Sequence, residues 1–182
     1  IRLSEKLSKK YGVIKNEYAF KVCRIEPENN IELILKSFSL SKMKLIIIGN
    51  WDNSSFGIKM KFIYKDFDNM QILDPIYDQH ILDQLRSNCK CYIHGHSVGG
   101  TNPSLVEAMS LGLCIFSYDV IYNRETTENS ALYFSNQYEL EKLIENKELN
   151  FNEFSKKMLN IARNRYTWDL ICNKYYKIFK SC

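Results

Sequence analysis

Cys91-Tyr92-Ile93-His94-Gly95-His96-Ser97-Val98-Gly99-Gly100-Thr101-Asn102-Pro103-Ser104-Leu105-Val106-Glu107-Ala108-Met109 carries the reading of the whole chain. It opens with a short apolar, β-prone segment, Cys91 to Ile93. It closes on a helix start: Asn102 suits the cap, Pro103 suits the first helical position, and Leu105, Val106 and Met109 give an apolar face. Between them His94 to Thr101 forms a loop containing Gly95, Gly99 and Gly100. Strand, glycine loop and helix N-terminus together direct unpaired backbone N–H groups and the positive end of a helix dipole at one place, which makes an anion site. Glu107 lies about one turn inside the helix, where a carboxylate can reach a ligand hydroxyl. A tight strand-to-helix turn with no ligand fits the glycines equally well. The loop matches neither the dinucleotide fingerprint nor the P-loop.

Working outward, the same alternation recurs. Tyr18 to Cys23 reads as a strand, Arg24 to Asn30 as a polar loop, and Ile31, Leu33, Ile34, Leu35 and Phe38 as one face of a helix. Leu45 to Ile48, ended by Gly49 and Asn50, is the continuous apolar run of a fully buried parallel strand. Phe56 to Tyr64 suits a helix, Met70 to Leu73 a short strand, and Asp78 to Arg86 an amphipathic helix. Beyond the glycine loop come a strand at Leu113 to Phe116, a loop at Tyr118 to Asn129 with room for a short helix, and a strand at Ala131 to Phe134. Helices over Gln137 to Glu145, Phe151 to Asn164 and Trp168 to Phe179 complete the chain. In the last of these Trp168, Tyr175, Tyr176 and Phe179 recur near helical spacing, which predicts core packing or docking, with the helix laid back on the sheet. The pattern predicts an α/β, Rossmann-like parallel sheet with helices on both faces over residues 18–182. Residues 1–17 are polar, with a weak helical pattern stopped at Gly12, and are expected to be a connector from a missing N-terminal domain.

Apolar residues make up 45% and charged residues 25%, the balance of a soluble globular domain. No apolar run approaches the ~20 residues of a membrane span, and the start lacks the apolar core of a signal peptide. The net charge of +4 comes from scattered lysines, with no basic stripe interleaved with aromatics, so nucleic acid is not an expected partner. Cys23, Cys89, Cys91, Cys114, Cys172 and Cys182 contain no CxxC pair and read as structural or incidental thiols in a reducing compartment. No acidic residue stands at metal-ligand spacing from the histidines, so no metal is expected.

In such sheets ligands sit beyond the carboxyl ends of the strands. Arg24, Gly49, Leu73, His94 to Asn102 and Tyr118 to Arg124 all fall there, so residues far apart in sequence converge on one edge. A guanidinium at Arg24 is able to bridge two phosphate oxygens or to pair on the surface with Glu26 or Glu28. His94 and His96 are open to phosphate donation or to a structural role.

Arg24-Ile25-Glu26-Pro27-Glu28-Asn29-Asn30 together with Ser97 to Met109 resembles the C-terminal, donor-binding half of GT-B glycosyltransferases of the retaining family 4 type. The nearest branch holds bacterial rhamnosyl- and N-acetylhexosaminyl-transferases, and the likeness runs from about Tyr18 to Phe179. The resemblance implies that Arg24 grips a donor diphosphate, that Glu107 hydrogen-bonds ribose hydroxyls, and that Ile72, Leu73 and Ile76 hold the base, with Gly49 on the same edge. It also marks two departures. A Lys usual in relatives is Asn29 here, and the first of two motif glutamates is Gly99, so backbone groups of Gly99, Gly100, Thr101 and Asn102 are expected to substitute. Asn123 to Thr127 is left between an approach to the donor sugar and a helix cap.

The implied activity is sugar transfer from a nucleotide-diphosphate sugar, a UDP-sugar first and a TDP- or GDP-sugar next, with no prosthetic group. The acceptor would be a glycan or polyprenyl-linked sugar brought by the N-terminal domain, in O-antigen or capsule synthesis in the cytoplasm, with peripheral membrane contact at most. A fragment without that domain is expected to be inactive. The rival readings are a non-catalytic nucleotide- or phosphate-binding Rossmann-like module and a receiver-like domain. The latter lacks the acidic cluster that a phospho-acceptor needs at the first strand end.

Overall fold

The computed structural model describes residues 1–181. Six strands, β1 (Tyr18–Val22), β2 (Lys44–Ile48), β3 (Met70–Leu73), β4 (Cys91–His94), β5 (Ile115–Tyr118) and β6 (Leu132–Phe134), form one parallel sheet in the order β3-β2-β1-β4-β5-β6. This is the doubly wound order, with the strand sequence reversing between β1 and β4. The helices are α1 (Glu5–Tyr11), α2 (Ile31–Ser39), α3 (Ser55–Tyr64), α4 (Gln79–Ser87), α5 (Pro103–Ser110), α6 (Ile121–Thr126), α7 (Gln137–Glu145), α8 (Phe151–Arg165) and α9 (Trp168–Ser181).

Alternation along the strands divides the core into two. Phe20 and Tyr92 join Leu105, Met109 and Met158 on one face, while Ala19, Cys91 and Ile93 join Ile34, Leu35 and Phe38 on the other. Both faces are dry, which is why Leu45 to Ile48 carries no polar residue at all. No described helix is long and apolar enough to cross a membrane.

One feature of the register places the site. β1 stays paired to β2 as far as Val22↔Ile48, and β4 to β5 as far as His94↔Ser117. The β1–β4 pairing, by contrast, stops at Phe20↔Tyr92. Past that point the two halves of the sheet part, and a crevice opens at the carboxyl ends.

The segment 1–17 adds to the expectations, and two others need correction. The polar segment 1–17 packs on the domain: Leu7, Tyr11 and Val13 are buried, Ser4 caps α1, and the Ser4 N–H donates to Gln84. Its sparse apolar residues fall on one helix face, so a low average hydropathy hid a buried contact. The fifth strand begins at Ile115, not Leu113. The Leu113 N–H returns to the Ala108 carbonyl and that of Gly112 to Met109, a Schellman closure with Gly112 at φ 66°, so Leu113 belongs to the end of α5. Finally, the aromatic stripe of α9 is not core. Trp168, Tyr175, Tyr176 and Phe179 are exposed, and the helix touches mainly α8. Cys182 lies outside the described residues; Cys23, Cys89, Cys91, Cys114 and Cys172 are free thiols.

With Tyr175 60% and Phe179 74% exposed, replacing both by Ser is expected to change the unfolding free energy by less than about 0.5 kcal/mol. Urea denaturation checks this; a loss of roughly 3 kcal/mol or more would mean that α9 is packed.

Candidate functional site

The crevice between β1 and β4 is a cleft of ≈ 400 Å³. Arg24 and Asn29 enter from the loop after β1, His94 and His96 from the end of β4, Asn102 and Glu107 from the start of α5, and Arg86 from α4. Arg24, Asn29, Asn102 and Glu107, four of the residues singled out from sequence, therefore meet on one cleft.

The loop after β4 is held from two sides. Gly95 approaches the β1 loop so closely that a Cβ there would lie 2.3 Å from the Asn29 carbonyl oxygen and 2.7 Å from Ile34 Cδ1. Its own carbonyl accepts from the Asn30 amide at 2.8 Å. Ser97 donates through both its N–H and its hydroxyl to the Glu28 carbonyl, each at 2.9 Å. From the far side Asn123 donates to the His96 and Tyr118 carbonyls at 2.9 Å, and the Tyr122 hydroxyl donates to the Ser97 carbonyl. The tip then swings outward. Gly99 adopts φ 101°, a backbone that L side chains rarely enter, Gly100 has open space around it, and Thr101 is exposed. Asn102 closes the turn by accepting from the Ser104 N–H at 3.0 Å and the Ser104 hydroxyl at 2.8 Å, and its carbonyl takes the Leu105 and Val106 N–H groups, so α5 brings the positive end of its dipole to the mouth with its first N–H groups already bonded.

Arg24 is 77% exposed and stands 3.7 Å from Glu28, a pair weak enough to be exchanged for a ligand. Asn29 is engaged within the protein. It is buried, its amide donates to the Arg24 carbonyl at 2.9 Å, and its oxygen faces His96 Nδ1 at 3.1 Å. It thus fixes Arg24 and His96. Glu107 is paired with Arg86, whose other branch reaches Asp83 at 3.0 Å. Arg86 is nearly fully buried; burial works against its charge, but the bonds to Glu107 and Asp83 prevail and raise its pKa. This arginine holds the carboxylate at the mouth and was missed from sequence, where it reads as the last polar residue of an amphipathic helix.

The remaining expected residues fall around the cleft, not on it. Gly49 is buried with its N–H on the Leu73 carbonyl at 3.1 Å, and the Trp51 indole takes the same carbonyl at 2.9 Å. Leu73 and Ile76 pack on the α4–α5 side of the sheet, beside the cleft residues Val22 and Leu82, whereas Ile72 points to the opposite core. Asn123 to Thr127 form α6. Asn123, Thr126 and Thr127 are buried, and both threonine hydroxyls bond back to helix carbonyls at 2.7 Å. Arg124 pairs with Asp119.

Two histidines face the cleft in an uncharged state. Burial, then the nearby Lys21 charge, drives His94 well below the ordinary histidine value, and the same two causes lower His96.

Fold and cleft define the class: a doubly wound, Rossmann-like α/β domain with its ligand edge at the switch point. The chain belongs to the family described as glycosyl transferases group 1, whose model matches residues 4–165. Solved structures place the fold as the C-terminal domain of GT-B enzymes. Sucrose-phosphate synthase from Thermosynechococcus elongatus superposes with a TM-score of 0.80 at 15% identity, over 100% of this chain and 49% of that one. Anabaena Alr3699/HepE, solved in complex with UDP and with UDP-glucose, gives 0.82 at 15% identity over 97% and 52%. The C-terminal domain of LpcC from Francisella tularensis gives 0.68 at 14% identity over 92% and 96%. The chain therefore spans about half the length of the first two. The search of curated proteins returns no match.

Because the folded-state pKa values of His94 and His96 lie below their unfolded values, the unfolded chain binds more protons at mildly acid pH. Their contribution to stability is complete above the unfolded value of about 6.5 and declines as pH falls from there toward the folded values. Denaturation across that range is expected to show stability falling with pH, and His94→Gln is expected to flatten the slope.

Proposed function

We propose that this domain is the donor-binding half of a retaining glycosyltransferase that takes its sugar from a UDP-sugar, with TDP- and GDP-sugars as the next candidates. One observation carries the reading: an exchangeable arginine, the capped N-terminus of a helix and an arginine-held carboxylate line a single cleft at the switch point. In this reading the diphosphate lies over the N-terminus of α5 and the loop Gly99 to Asn102, with Arg24 on its outer side. Glu107 accepts from the ribose hydroxyls, and the base rests against Leu73 and Ile76. The UDP and UDP-glucose complexes of HepE support a uridine donor.

Chemically, the bond between the anomeric carbon and the diphosphate oxygen breaks while one to an acceptor hydroxyl forms. Negative charge grows on the leaving diphosphate, and fixed N–H dipoles and a guanidinium are aimed where it grows. A glycan or polyprenyl-linked acceptor would come from a further domain, and bacterial surface-polysaccharide assembly is the setting that the motif resemblance favours. A non-catalytic phosphate-binding module stays the rival.

Arg24→Ala is expected to weaken UDP binding about tenfold, near 1.4 kcal/mol, and to leave uridine binding unchanged, as measured by calorimetry. Arg24→Lys should recover part of the loss, since a point charge keeps attraction without the fork. Equal losses for UDP and uridine would mean that Arg24 supports the loop and that the diphosphate lies elsewhere.

A further inference from the structure

Lys21 is the first residue of β1 beyond the point where β1 and β4 part, since their pairing ends at Phe20↔Tyr92. It lines the cleft and is 2% exposed. An ammonium at that depth must meet an anion or give up its proton. Among the described residues no carboxylate pairs with it. The two glutamates around the cleft are already engaged, Glu28 by Arg24 at 3.7 Å and Glu107 by Arg86. Its polar neighbour is the Cys23 thiol, which burial keeps protonated. Its charge acts on His94 and His96, and the other titratable groups lining the cleft with it, besides Glu107, are Arg24, Arg86 and the Tyr92 phenol. None of these offers a negative charge at neutral pH, since burial also pushes the phenol up. Asn29, on the same wall, brings no charge and spends its amide on the Arg24 carbonyl and the His96 ring. The cleft floor thus holds a lysine whose charge its surroundings oppose, a cost that an anion seated in the split would offset.

We propose that Lys21 is a phosphate-binding residue at the floor of the split, acting with Arg24 at the rim as a two-cation grip on the diphosphate of the donor. The identity of the ligand rests on the function proposed above; the anion subsite itself does not. Burial lowers the pKa of the empty site's lysine, and an arriving phosphate raises it. Binding therefore draws a proton from solvent at any pH between those two values. The two cations are not equivalent: Arg24 is exposed and screened, whereas Lys21 works in a dry site where its charge counts for more.

The test is calorimetry of the 182-residue chain with UDP, inorganic pyrophosphate and uridine, in buffers of different ionisation heat, from roughly pH 6 to 10 around the lysine range. Lys21→Met, which keeps the length and removes the charge, is run alongside. The wild type is expected to take up more protons per UDP than the variant, and the variant to lose about tenfold or more in affinity for UDP and pyrophosphate, with uridine unchanged. Pyrophosphate binding that depends on Lys21, without a preference for UDP, would keep the subsite and remove the nucleotide reading. UDP binding indifferent to Lys21, with equal proton counts, would keep the nucleotide reading and overturn the subsite. Wild-type protein that binds neither anion would overturn it as well. Should Lys21→Met fail to fold, the wild-type proton count decides alone, and an absence of uptake across the range sinks the proposal.

Discussion

The parting of β1 from β4 after Phe20↔Tyr92 is the constraint on which everything at the ligand edge depends. Each strand is still held on its outer side, β1 by β2 and β4 by β5, so the split costs few backbone hydrogen bonds yet opens a cleft floored by strand ends. Helices on both faces make the opening rigid, because the side chains that would have to move to close it belong to two dry cores.

Around that opening the chain spends asparagines where a charged ligand contact would have been the simpler reading. Asn29, Asn30 and Asn123 each donate a side-chain N–H to a backbone carbonyl, of Arg24, Gly95 and His96 respectively. These bonds join the loop after β1, the loop after β4 and α6 into one frame. Arg86 does the corresponding work for Glu107 from below. Outside this frame stand the Arg24 guanidinium, the positive end of the α5 dipole and the loop tip at Gly99 and Gly100, which are the groups an anion would use.

Much of the fold was legible because its signals are local. The run Leu45 to Ile48, the cap Asn102 with Pro103, and the alternation of strand and helix lengths each depend on a few neighbouring residues. The misses share a cause. Leu113 reads as strand by its apolarity, but a helix-closing bond to Ala108 claims it. The stripe on α9 is exposed although its spacing suited a core. At the site, Arg24 and Glu107 were legible from their positions beside a strand end and a helix start. Arg86 was not, because only the fold brings α4 against α5, and Lys21 sat unremarked inside an apolar strand. Asn29 lines the cleft, and its bonds to Arg24 and His96 join residues that no linear pattern links.

The central claim is that a nucleoside diphosphate occupies the split between β1 and β4. A crystal structure of the chain grown with UDP addresses it directly. Density is expected in that cleft, with the ribose hydroxyls on the Glu107 carboxylate and the diphosphate between Arg24, Lys21 and the loop that leads into α5. UDP bound at the opposite edge of the sheet, or a cleft left open while the nucleotide sits on the surface, would contradict it.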